Sequence, residues 1–178
     1  MQELQQATGQ TLKFVNGNTI TLSSHGTDQE GEYLILEHTI VSPGAMNGPH
    51  SHPVLDEKFT IIEGTMRFLI DDHTVLAGPG EQIHIKPGQI HQAWNESQTM
   101  LRVIHEIRPP GQHWNMFRLL HKLEAEGKLN AKGIPRNPLW MGLAWTTMDG
   151  YIAGPPRWIQ HIALGGLARI AKAFGYRL

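Results

Sequence analysis

Two histidines separated by one residue, His50 and His52, precede a carboxylate, Glu57, and glycines at 44 and 64 bracket the group. Imidazole and carboxylate are donor types that suit borderline transition metals, so the stretch is read as the first half of a metal site. In an extended strand, residues two apart share a face and stand about 6.6 Å apart, so both imidazoles can aim at one point. Glu57 lies an odd number of positions after His52, which on one straight strand would turn it to the opposite face. A turn or bulge is therefore expected at Pro53, which cannot donate to a ladder. The donors should then come from two adjacent strands. The second of these runs from Glu57 to Glu63, with Gly64-Thr65 as a tight turn into Met66 to Ile70.

Downstream, Gly80 to Asn95 supplies a further strand, a Pro87-Gly88 turn and another histidine, His91, opening a strand. Together the two stretches resemble the cupin family. The first cupin motif, G-x5-H-x-H-x4-E-x6-G, is met at every fixed position by Gly44, His50, His52, Glu57 and Gly64. The second, G-x5-P-x-G-x2-H-x3-N, is met by Gly80, Gly88, His91 and Asn95, with Lys86 at the proline position and Pro87 after it. Because Gly88 and His91 keep their spacing, the turn is expected to survive. The resemblance extends over roughly residues 12 to 107.

With 178 residues, 40% hydrophobic and 17% charged, the chain suits one globular domain with an appendage. It contains no cysteine, so disulfides and thiolate metal sites are excluded and histidine and carboxylate remain as strong ligands. The polar start, Met1 to Gln10, shows no basic segment followed by an apolar core, and no run approaches a membrane span, so a cytoplasmic location is expected. The net charge of −1 conceals an asymmetry: residues 1–107 carry −8 and residues 108–178 carry +7. Four of the five tryptophans, Trp114, Trp140, Trp145 and Trp158, fall in the basic part. An acidic barrel with a basic, aromatic extension packed on it or on a second subunit is the expected arrangement. No nucleic-acid partner is indicated.

Along the chain, Thr11 to Phe14 and Asn18 to Ser24 read as strands around the hairpin signal Asn16-Gly17. Gly26 to Gly31 reads as a polar loop, Glu32 to Val41 as a long strand, and Asp71-Asp72-His73 as the turn of a second hairpin. Thr99 to Ile107 closes the all-β region. Strands at this density without intervening helices argue for an antiparallel sandwich or barrel. The domain plan is thus a mainly β barrel over 1–107 and a helical extension over 108–178. Helices are expected at His113 to Glu126, Leu139 to Met148 and Arg157 to Phe174. The last carries Trp158, Ile159, Ile162, Gly166, Ile170 and Phe174 along one face, beside Arg157, Arg169, Lys172 and Arg177. That face is expected to bury against the barrel mouth or a dimer partner, an interfacial membrane helix being the weaker reading.

The resemblance implies a double-stranded β-helix, or jelly roll, with His50, His52, Glu57 and His91 as ligands of one divalent ion, iron, manganese, nickel or zinc. It also implies positions left for water or substrate oxygens. Phe59 and Ile61 share the strand face of Glu57 and should line an apolar pocket wall. Glu57 is the candidate base. Trp94 is expected on the outer face and Asn95 at a strand end. His84 and His105 could face solvent or interior, and His25, His38, His73, His113, His121 and His161 read as ordinary loop, strand or helix-face residues. The functional classes implied are a mononuclear metal oxygenase acting on a small oxygen-bearing molecule, as in quercetin and acireductone dioxygenases, a redox-neutral isomerase, or a non-catalytic binding module. A homodimer is expected because exposed sheet edges otherwise invite aggregation.

Overall fold

Among the described residues, alternating apolar residues and closely spaced turn signals produce eleven strands, followed by three helices with a twelfth strand between the last two. The computed structural model describes residues 7–177, so most of the polar start lies outside the described residues. The strands are β1 (Thr11–Lys13), β2 (Thr19–Asp28), β3 (Gly31–Ile40), β4 (Gly44–Ala45), β5 (His50–Ser51), β6 (Asp56–Glu63), β7 (Met66–Ile70), β8 (His73–Ala77), β9 (Gln82–Ile85), β10 (His91–Asn95), β11 (Leu101–Arg108) and β12 (Tyr151–Ile152). The helices are α1 (His113–Ala125), α2 (Pro138–Thr147) and α3 (Arg157–Ala173).

Two antiparallel sheets form the roll. One has the order β1-β2-β3-β11-β6-β9, and the other β12-β5-β10-β7-β8 with β4 also on β10. The mainly β jelly roll with C-terminal helices is therefore the architecture of the chain. Residues 26–31, read as a loop, are mostly strand: β2 runs to Asp28 and pairs directly with the start of β3, Asp28 opposite Gly31. Polar side chains there face outward, and pairing outweighs their low strand propensity. The turn Asp71-Asp72 holds φ values of 44° and 69°, the left-handed pair that a two-residue hairpin loop requires and aspartate tolerates.

Gly64-Thr65 does not join neighbouring strands. It carries the chain from β6 in one sheet to β7 in the other. Gly64 sits at φ 85°, and a Cβ there would lie 2.5 Å from Ser97 Oγ and 2.8 Å from the Met100 carbonyl, so the corner admits only glycine.

Inside the roll, one end is apolar: Phe59, Ile61, Met66, Phe68, Leu101 and Val103 form its cluster. A second cluster joins β1, β2 and β3 to Leu55 and to Trp114 of α1. The third belongs to the extension itself, with Leu119, Leu123, Trp140, Leu143 and Ala171. Helix α1 is fixed to β1 by His121 Nε2 donating to the Lys13 carbonyl (3.0 Å), while Glu124 accepts from the Val15 amide (2.9 Å). Helices α2 and α3 approach so closely at Gly142 that a Cβ would meet the Ala168 nitrogen at 2.7 Å.

The apolar stripe of α3 turns outward rather than burying within the chain. Trp158, Ile162 and Phe174 are 65%, 70% and 76% exposed. The buried residues are Gln160, Ala168 and Ala171, because small side chains let the helix axes close together where large ones cannot. No helix among the described residues is long and apolar enough to cross a membrane.

Candidate metal centre

The histidine and carboxylate side chains converge from both sheets. Strand β5 ends at Ser51, before Pro53, so His50 lies on the strand and His52 just beyond it. His91 opens β10 directly opposite His50, and their ring centroids stand 4.3 Å apart. Glu57 enters from β6, in the facing sheet. The expectation of two adjacent strands is thus corrected: the bend at residues 52–55 crosses the barrel, and this crossing restores Glu57 to the side of the histidines.

Backbone carbonyls orient all three rings. His50 Nδ1 lies 2.8 Å from the Gly48 carbonyl, His91 Nδ1 3.1 Å from that of Gln89, and His52 Nδ1 3.3 Å from that of Asp149. A carbonyl oxygen only accepts, so each Nδ1 carries the proton and each Nε2 presents a lone pair. The loop before His91 is itself held by Asp71, whose carboxylate accepts from the Ile90 amide (2.9 Å) and from Gln89 Nε2 (3.0 Å). The Gly88 amide donates to the His52 carbonyl (2.7 Å), tying the two histidine stretches together. Lys86, at the departure from the motif, is exposed, and the turn forms around it with Gln89 closing onto Lys86.

His52, Glu57 and His91 are each 2% exposed, and His50 is half-buried on the open side. Glu57 Oε2 stands 3.6 Å from His52 Nε2 and 3.2 Å from His91 Nε2, while its Oε1 accepts from His105 Nε2 at 2.9 Å. Burial works against a charge on Glu57, but the hydrogen bond from His105 and, whenever a proton sits between His91 Nε2 and the carboxylate, the one from His91 hold its pKa well below the usual carboxylate range. Burial, then the neighbouring His91 and His52, depress His50 to about 4. Burial likewise lowers His52. For His91 the Glu57 carboxylate outweighs burial and raises the pKa.

These atoms provide a direct test of whether a cation fits. His52 Nε2 and Glu57 Oε2 are buried without hydrogen-bond partners. Leaving such an atom unsatisfied costs about 1–3 kcal/mol. The lone pair of His91 Nε2 also faces the Glu57 oxygen, an arrangement that only a proton or a cation between them makes favourable. Ring nitrogens of His50, His52 and His91 fall within 4.8 Å of one another, as do donor atoms of His52, Glu57 and His113. The group can hold a metal ion. Three neutral imidazoles and a carboxylate suit a divalent transition metal better than magnesium or calcium.

Three histidines read as ordinary or undecided belong to this interior. His105 is 4% exposed, binds Glu57 and stacks on Phe59 with centroids 4.0 Å apart. It shares the inward parity of Leu101, Val103 and Ile107 on β11, a signal present in the sequence. His38 is buried behind it, ring to ring at 5.5 Å, and burial depresses its pKa to about 3. His113 reaches the centre from the first residue of α1, a placement no local pattern announces. His84 faces outward onto Asp56 (2.6 Å). Ile61 lies fully buried deeper in the apolar cluster. Trp94 lies on the outer face, covered by the Arg67 guanidinium at 3.8 Å rather than by a helix. Asn95 binds the carbonyls of Ile40, Ser42 and Thr99 and secures the strand end.

A β-roll whose two sheets aim histidines and a carboxylate at one interior point defines a class of metal-site barrels. Residues 37–106, which contain both motifs, match the family described as Cupin domain. Among curated proteins it is similar to germin-like protein subfamily T member 3 of Arabidopsis thaliana, 38% identical over 76 residues, covering 40% of this chain and 34% of that one. The chain thus spans about a third of the length of that relative. Among solved structures it is similar to KdgF from Halomonas sp., with 15% identity, a TM-score of 0.45, and 55% and 94% of the two chains covered. It is also similar to a cupin-superfamily sugar phosphate isomerase from Silicibacter pomeroyi, with 15% identity, a TM-score of 0.43, and 51% and 59% covered.

Proposed function

We propose that the protein is a mononuclear metal-dependent oxygenase acting on a small, oxygen-bearing organic molecule. The observation that carries this reading is the donor set: three imidazoles with their Nδ1 protons committed to backbone carbonyls, facing a buried, ionised Glu57. When bound there, an iron, manganese or nickel ion would supply Lewis-acid polarisation and an electron path to dioxygen. The protein does the rest. His50, the half-buried member, marks the side from which a substrate reaches the centre. Phe59 and its stacked partner His105 exclude water from the inner side, which strengthens electrostatic interactions there. Glu57, whose Oε1 accepts a hydrogen bond from His105 Nε2, is the candidate base for a proton from a substrate hydroxyl.

Elemental analysis followed by oxygen uptake tests the reading. The expected result is one iron, manganese or nickel ion per chain and oxygen consumption with at least one member of a panel of flavonols, catechols and diketones. Zinc alone, with no uptake by any metal-loaded form, would favour a redox-neutral isomerase or a binding module and would overturn the oxygenase.

A further inference from the structure

We infer that His113, delivered by the helical extension, is a fifth donor to the metal bound at the barrel centre, so that the extension completes the site rather than merely covering it. This rests on the metal-centre reading above. A donor atom of His113 lies within 4.8 Å of donor atoms of His52 and Glu57. Two donors about 2.1 Å from one ion stand at most about 4.2 Å apart, so a small side-chain movement brings His113 into the shell.

The alternative is a core histidine satisfied by its surroundings, and the surroundings argue against it. His113 is 4% exposed, and its Nδ1 is buried without a hydrogen-bond partner. Its ring meets those of His52 and His105 edge-on at 5.4 and 5.8 Å, so aromatic packing surrounds the ring but gives that nitrogen no partner. A hydrophobic residue would fill the same space without leaving a polar atom unsatisfied.

The extension also reaches the centre from a second direction, and one residue joins the two. The Asp149 carbonyl accepts from His52 Nδ1 (3.3 Å), while the Asp149 carboxylate accepts from the Gln112 amide, immediately before His113. Asp149 adopts φ 51°, outside the ordinary range for a residue with a side chain. Gly150 follows, and a Cβ there would stand 2.7 Å from His52 Nδ1. Asp149 therefore sets the ring of His52 and the start of the helix bearing His113 in one geometry. That coordination is what a shared ion requires and what simple covering does not.

Cobalt(II) titration of the full chain, followed by visible absorption, tests the inference without reference to activity. Wild type should bind one cobalt per chain. His113→Phe, which keeps a buried ring, and His113→Ala should each bind at least tenfold more weakly and show a shifted absorption band. Added imidazole should restore the wild-type band in His113→Ala, and circular dichroism of the metal-free variants monitors the fold. Affinity within twofold of wild type and an unchanged band in whichever variant folds would overturn the inference while leaving the metal centre intact. A wild-type chain that takes up no cobalt would instead overturn the metal-centre reading, and this inference with it.

Discussion

Glu57 and Ile61 face the same interior from the same strand, yet one ends among histidines and the other among Met66, Phe68 and Val103. Strand β11 repeats the division: His105, opposite Phe59, binds Glu57, while Val103 lies opposite Ile61. Alternation decides which residues point inward, and the partners across the barrel decide what that position means. At the apolar end any side chain of similar volume contributes through burial. At the polar end every buried atom needs a specified partner, so each residue there is fixed by several others. The apolar end should therefore carry stability, and the polar end metal affinity.

Four substitutions or conditions would break or sharpen this division. His52→Ala should reduce bound metal from one per chain to none while the fold survives, as elemental analysis and circular dichroism would show. Retained stoichiometric metal would mean that His52 is not a ligand. At the other end, Phe68→Ala removes a fully buried ring and should cost about 3–5 kcal/mol in urea unfolding, with metal content per folded chain unchanged. Lost metal in the folded fraction would show that the two ends are not separable. His105→Phe keeps the stack on Phe59 but takes the hydrogen bond from Glu57 Oε1. Loss of such a supporting partner weakens metal binding by about 10- to 100-fold, which chelator competition measures.

The smallest effect concerns acid. Burial depresses the pKa of His38, His50 and His113, so below the ordinary value of 6.5 the unfolded chain takes up protons that the folded chain refuses. Stability of the metal-free protein should fall as pH drops through 6.5 toward about 3, and Glu57, with its lowered pKa, adds to the loss at the acid end. His91, raised by Glu57, opposes the trend as a single group. A urea midpoint that holds steady or climbs between pH 7 and pH 4 would contradict this balance.

Much of the barrel was legible in the chain because its signals are local. Alternation marked β3, β6 and β11, and the Asp71-Asp72 and Pro87-Gly88 turns marked where strands end. The convergence of His50, His52, Glu57 and His91 was legible as a resemblance. The route was not, since the bend after His52 and the corner at Gly64 change sheets, and nothing in a short glycine turn distinguishes a hairpin from a crossing. His113 was missed because its position follows from how α1 docks on β1, a tertiary fact. On α3 the period of the large residues was read correctly, while burial of that face within the chain was not borne out. Helical spacing is the same whichever side is covered, and here Ala168 and Ala171 make the contact.

Strand β12 returns from the extension to lie against β5, with Tyr151 opposite Ser51 and Ile152 opposite His50. Its presence covers the edge of β5 on that flank. A shortened form ending after β11 would bare the hydrogen-bonding groups of that border beside His50, and bared borders recruit other chains. Anyone wishing to transplant this barrel as a minimal module would therefore need to carry the Tyr151–Ile152 segment along or cap the flank by design.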